Sequence, residues 1–269
     1  RALARGALDL GEPRYAEAAA GAAAFVLDTM RDAEGRLLKS ARGRQASQRA
    51  FLEDHAFLVR GLQELHETTG ELRWAREAFA LQEAQDALFR DGASGAYYRV
   101  AADGETLLGR GQPADDGALP SGNAVSAENL LRFAAWTGDD GFRERADAIF
   151  AAFGEGLRRR GAGMTRLLSA LDGTFDLYRE VVVVEATPGG GEGLVAVLRA
   201  AHLPHRAFLR VPADAVAARA EVLGVLEGKA PLGDAPATAF VCERGLCERP
   251  TSYPAVFAEQ LAALRPLTL

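Results

Sequence analysis

The 269-residue chain carries 31 Lys and Arg against 37 Asp and Glu, a formal net charge of −6. That balance argues against a phosphate-backbone partner, which needs clustered excess positive charge. With 48% apolar and 25% charged residues it has the make-up of a globular protein long enough for two modest domains. No apolar stretch reaches the roughly 20 residues of a membrane-spanning helix, so neither nucleic acid nor membrane is an expected partner.

The chain opens at Arg1 inside an Ala/Leu-rich stretch that reads as the middle of a helix, and no signal peptide is visible. It therefore reads as a piece of a longer protein. An internal repeat follows. Leu10-Gly11-Glu12-Pro13-Arg14-Tyr15 opens a helix to about Met30, Thr69-Gly70-Glu71-Leu72-Arg73-Trp74 a second to about Phe89, and Thr137-Gly138-Asp139-Asp140-Gly141-Phe142 a third to about Phe153. In each, the glycine closes the preceding helix in the left-handed conformation. The acidic residue then suits the positive start of the next helix. In the second copy Trp74, Ala78, Leu81 and Leu88 share one face, giving a one-sided helix. The helices leading into these glycines differ. Leu52 to Glu67 and Ala124 to Trp136 are apolar on several sides, which predicts burial on several sides. Alternating buried and half-exposed helices fit a two-layer ring of α-hairpins or a plain antiparallel bundle. Arg158, Arg159 and Arg160 read as a solvated helix end.

Near Leu177 the character changes. Val181 to Val184 reads as a buried strand. Gly193 to Ala201 reads as helix, Ala207 to Val211 as strand and Ala215 to Leu226 as helix. Thr238 to Cys242 reads as strand and Ala255 to Leu264 as a last helix. This alternation predicts a small, partly parallel sheet, with a domain boundary at about 178. Gly189 to Gly193 lies between strand and helix, where a phosphate can be cradled. It lacks the dinucleotide fingerprint and a P-loop lysine, so an ordinary strand-to-helix turn is expected. The two cysteines, Cys242 and Cys247, are too few for a disulfide framework and, with His202 and His205, give no zinc spacing. They are expected to be reduced and structural in a cytoplasmic protein. A disulfide across the loop is sterically allowed, and a reactive pair is the remaining alternative.

Three stretches carry a resemblance: Phe51-Leu52-Glu53-Asp54-His55-Ala56-Phe57-Leu58, then Asp116-Gly117-Ala118-Leu119-Pro120-Ser121-Gly122-Asn123, then Thr238-Ala239-Phe240-Val241-Cys242 through Cys247. In their order, with the glycine-led helices between them, they resemble the thioredoxin-domain-containing, spermatogenesis-associated protein 20-like family over nearly the whole chain. The resemblance implies a mainly α fold, a partial (α/α)6 toroid of α-hairpins followed by a small C-terminal α/β region. The toroid would be of the six-hairpin glycosidase and N-acylglucosamine 2-epimerase kind. Residues 1–178 would supply about three hairpins and 179–269 the α/β tail. The remaining hairpins and an N-terminal thioredoxin-like domain with its redox cysteines would lie elsewhere in the protein.

In such toroids, loops entering the inner helices line a central pocket. Glu53, Asp54 and His55 are then candidates for acid/base work on a sugar-like metabolite, glycosidase-like or epimerase-like. Capping and dipole pairing are the structural alternative. Asp116 would be the opposed carboxylate of a catalytic pair. Asp115, Ser121 and Asn123 would bind hydroxyls at a helix entrance, or satisfy free amides there. Tyr97 and Tyr98, after Gly95, would stack on a sugar or simply pack. No cofactor or metal is called for. The alternative function is a non-catalytic scaffold or protein-interaction module accompanying the thioredoxin-like domain.

Overall fold

The computed structural model describes residues 1–104, 109–175 and 178–263. The expected change of character at Leu177 and the expected helix end at Leu264 lie outside the described residues. Among the described residues ten α-helices accompany six strands, so the protein is mainly α. The chain divides into two compact units, one formed by Arg1–Leu130 with Arg143–Leu171, the other by Leu131–Phe142 with the chain from Asp172 onward.

The first unit opens with helices α1 (Ala2–Leu10) and α2 (Pro13–Thr29), continues through a hairpin of β1 (Leu38–Arg42) and β2 (Gln45–Arg49), and returns to helices α3 (Leu52–Thr69) and α4 (Leu72–Phe89). Gly11 and Gly70 end α1 and α3 with φ of 69°, the left-handed stop that a Cβ disfavours. Helix α3 packs against α1, α2 and α4, which is why Leu52, Ala56, Val59, Leu62 and Leu65 are all buried although they do not share one face. Helix α5 (Gly122–Thr137) lies alongside α3 at its start. A Cβ on Gly122 would stand 2.7 Å from the Leu52 side chain, so only glycine permits this approach. Helices α6 (Asp140–Arg160) and α7 (Thr165–Phe175) follow. The last turn of α6 holds Arg158, Arg159 and Arg160, and Arg158 and Arg159 pair with Glu155. Neither the β1–β2 hairpin nor α7 was among the elements expected from the sequence. The hairpin strands read Leu-Lys-Ser-Ala-Arg and Gln-Ala-Ser-Gln-Arg, with no β-branched or aromatic residue to signal a pleated face.

In the second unit the strands β3 (Arg179–Glu185), β4 (Arg206–Pro212), β5 (Ala237–Glu243) and β6 (Leu246–Cys247) form one sheet in the order β4-β3-β5-β6. Strand β3 pairs parallel with β4 and antiparallel with β5. Its four valines, Val181 to Val184, are fully buried at the sheet centre, as a continuous apolar run requires. Helix α8 (Glu192–Ala200) makes the crossover from β3 to β4, and α10 (Pro254–Ala263) packs on α8 and β5. The helix expected over Ala215 to Leu226 is shorter than that. Only α9 (Val216–Ala220) forms, with a separate 3₁₀ turn at Gly224–Leu226. The break falls where Gly224 meets the Thr137 carbonyl, 2.3 Å from where a Cβ would be.

The cysteines are a correction: Cys242 and Cys247 are joined as a disulfide, not held as separate thiols. The hairpin explains it. Arg244 and Gly245 both take positive φ, 50° and 76°, and the resulting tight turn sets Cys242 directly opposite Cys247 in the β5–β6 register.

Candidate functional site

The Gly189 to Gly193 loop does not leave its helix start open. Gly191 N–H donates to Glu185 Oε1 at 2.8 Å, and Arg210 grips both oxygens of Glu185 through Nε and Nη2. Burial opposes ionisation of Glu185, but the Arg210 and Gly191 bonds outweigh it and hold its carboxyl below the usual range. The amide an anion would use is already occupied by this carboxylate.

The carboxylates at the start of α3 are both engaged, Asp54 by the helix itself and Glu53 by an arginine outside it. Asp54 Oδ2 accepts the Phe51 N–H at 2.8 Å, the backward-reaching half of a capping box. Glu53 pairs with the half-exposed Arg99 at 3.0 Å. His55 is 2% exposed, its Nδ1 3.1 Å from the Phe51 carbonyl and its ring edge-on to Phe89 at 5.0 Å. Burial lowers its pKa, so the neutral imidazole is the favoured form.

The second group is bound into the walls of its own loops. Asp116 Oδ1 accepts from Ser121 N–H at 3.1 Å, while Oδ2 accepts from the Thr165 hydroxyl at 3.0 Å and from Arg166 N–H at 2.7 Å. One side chain thereby ties the loop before α5 to the first turn of α7, where a negative charge complements the helix dipole. Ser121 Oγ accepts Ala124 N–H at 3.1 Å and caps α5. Asp115 is exposed and lies 3.4 Å from Arg160. Asn123, fully buried, accepts Tyr97 N–H at 2.8 Å and donates to the Tyr97 and Pro113 carbonyls, each at 2.9 Å. Tyr97 is also fully buried. Its hydroxyl donates to Asp86, and burial together with Asp86 pushes the phenol far above its ordinary range. Tyr98 carries Arg110 over its ring at 4.1 Å. Upstream, Asp91 accepts from the Ser94 hydroxyl and from Ala93 N–H, bonds that lower its carboxyl to about 2. A shallow depression of about 310 Å³ is lined by Asp116, Gly117, Leu119, Thr165, Arg166 and Ser169. Asp54, Glu53, His55 and Asn123 do not line it.

Sequence reasoning missed a buried ionic cluster on α3 and α5. Arg60, 4% exposed, reaches Glu64 at 3.3 Å one turn along α3 and Glu128 of α5 at 2.9 Å. Arg166 of α7 bonds the other Glu128 oxygen, and Arg1 approaches Glu64 at 3.9 Å. Beside it Gln63 Nε2 donates to the Asn129 carbonyl and Asn129 Nδ2 to the Ala56 carbonyl, at 3.0 and 2.8 Å. The available signal was Arg60 and Glu64 at i, i+4 inside a helix already apolar on several sides, since charges there must find partners.

These features define a mainly helical protein with a small mixed-sheet unit, in which Asp54, Asp116 and Ser121 bond the amides of helix starts. No family model matches the chain. The chain is 33% identical over 210 residues to spermatogenesis-associated protein 20 of Homo sapiens, and 31% and 30% identical over 206 residues to the proteins of that name from Rattus norvegicus and Mus musculus. Each match takes in 76% of this chain and 26% of the relative. The chain belongs to the spermatogenesis-associated protein 20-like family, and it spans about a quarter of the length of the curated relatives it matches.

Among the described residues no helix is long and apolar enough to cross a membrane.

Proposed function

We propose that this chain is a non-catalytic scaffold within a spermatogenesis-associated protein 20-like protein. Its hairpins would contribute about three of the six in an α/α toroid and accompany a thioredoxin-like domain in the rest of the polypeptide. One observation carries the proposal. The two carboxylates best placed in sequence for sugar chemistry are spent on backbone amides, Asp54 on Phe51 and Asp116 on Ser121 and Arg166. A general acid or nucleophile has to face its substrate. Asp54 faces a helix start, and Asp116, although it borders the shallow depression, has both oxygens bonded to donors at the starts of α5 and α7.

Unfolding measurements on single variants test this. Asp54→Ala is expected to lose about 1 kcal/mol, the worth of a cap. Asp116→Ala is expected to lose about 2 kcal/mol, because a carboxylate bonded to three donors goes with it. Wild-type stability in both variants would remove the structural role and with it the proposal.

A second reading has its own observation. Glu64 and Glu128 sit on the inner helices α3 and α5 with Arg60 between them. They are the paired carboxylates that a sugar-like metabolite would meet if the toroid encloses a pocket. Both are held by Arg60, so binding would first have to displace an ion pair, and the scaffold reading is preferred.

A further inference from the structure

The Cys242–Cys247 disulfide is poorly suited to holding the fold together. It bridges residues only five apart in sequence, with Cα atoms 3.9 Å apart. A loop this short removes little freedom from the unfolded chain. The hairpin is also tied without it: Glu248 N–H donates to the Val241 carbonyl at 2.9 Å, and Ala239 and Thr251 exchange bonds in both directions at 2.8 and 3.1 Å. The β5–β6 pairing that the disulfide spans consists of two residue pairs, Cys242↔Cys247 and Glu243↔Leu246.

The two sulfurs differ in access. Cys242 is 2% exposed on the inner strand β5, whereas both residues of β6, Leu246 and Cys247, are exposed at the sheet edge. No strand lies beyond β6 in this sheet among the described residues. An incoming thiolate therefore has an open approach to one sulfur and is shielded from the other, the asymmetry that sorts attacked from leaving sulfur in exchange chemistry.

We propose that the β5–β6 hairpin is a thiol–disulfide exchange site, attacked at Cys247, that passes two electrons to or from a dithiol. In the reducing direction one thiolate of the dithiol attacks Cys247 Sγ. The Cys242–Cys247 bond breaks, and its electron pair leaves on Cys242 Sγ, which takes up a proton. The second thiolate of the dithiol then attacks the mixed disulfide and releases Cys247 as a thiol. The dithiol ends as an internal disulfide, the hairpin as two thiols, and the charge and proton count balance. The reverse sequence oxidises the hairpin. This site lies in the second unit and is independent of the scaffold proposal.

The chain has no other cysteine, so the test counts thiols. The folded chain is equilibrated in graded mixtures of reduced and oxidised dithiothreitol, quenched in acid, alkylated and weighed. The expected result is a smooth exchange between species with no thiol and species with two, in native buffer. In parallel, Cys242→Ser and Cys247→Ser are exposed to glutathione disulfide. The first, which keeps the exposed sulfur, is expected to form the mixed disulfide about tenfold faster than the second, following access. Circular dichroism checks that both variants are folded, and the wild-type titration stands if either is not. Thiols that interconvert only in denaturant, or equal or inverted rates in two folded variants, overturn the proposal.

Discussion

Replacing Arg60 by methionine is expected to cost the helical unit about 3 kcal/mol, the low end for breaking a buried pair, because Glu64 and Glu128 lose the buried cation they share while Arg1 still approaches the first and Arg166 still bonds the second. Arg60 serves two carboxylates at once, Glu64 at 3.3 Å and Glu128 at 2.9 Å. Glu64 is 2% exposed, so water cannot take over the lost partner. Methionine retains much of the aliphatic volume, which separates the charge effect from a cavity. The companion variant replaces all three residues, Arg60→Met with Glu64→Gln and Glu128→Gln. It is expected to recover part of the loss, since the three replaced groups no longer carry buried charge, while Arg1 and Arg166, 47% and 22% exposed, keep theirs with water in reach. Urea unfolding of the single and triple variants provides the comparison. A single variant within about 1 kcal/mol of wild type would mean that the cluster is more hydrated than its burial indicates.

Asn123→Ala is expected to cost about 3 kcal/mol. It deprives the fully buried Tyr97 of partners for both its N–H and its carbonyl, and each buried group left unpaired costs about 1–3 kcal/mol. Asn123→Asp is expected to be at least as damaging. A carboxylate accepts from Tyr97 N–H but cannot donate to the Tyr97 and Pro113 carbonyls, and it sets negative charge against both. A residue kept only for a ligand would behave differently, folding normally as alanine and losing binding alone. Thermal unfolding of the two variants separates these cases, and two wild-type transitions would show that the Asn123 amide does not hold the Tyr97 loop.

What could be read from the chain beforehand was what its neighbours in sequence decide. The glycine stops at Gly11, Gly70 and Gly138 need only positive φ, and all three have it, at 69°, 69° and 74°. The valine run at 181–184 needs only a sheet to bury it. Asp54 reaches three residues back to Phe51, so its capping role was one of the two alternatives visible at the outset. Asp116 acts on Thr165 and Arg166, about fifty positions away on α7. No local pattern could have assigned it that role. The same distance hid the Arg60–Glu128 pair. The cysteine pairing depended on strand register: five residues apart is ambiguous until a turn at Arg244 and Gly245 places the sulfurs face to face. The β1–β2 hairpin was missed for lack of the residues that mark strands, whereas α7 carries a helical pattern in Leu167, Ala170 and Leu171 that could have been read.

The most direct test of the scaffold account is the ligand-induced thermal shift of the full-length protein against a panel of sugars and sugar phosphates, run on wild type, Asp54→Ala and Asp116→Ala. The account predicts that no panel member raises the wild-type midpoint, while each variant melts below wild type with or without ligand. A sugar that stabilises the wild type, and whose effect disappears in both folded variants, would contradict it and place a carbohydrate site at these carboxylates.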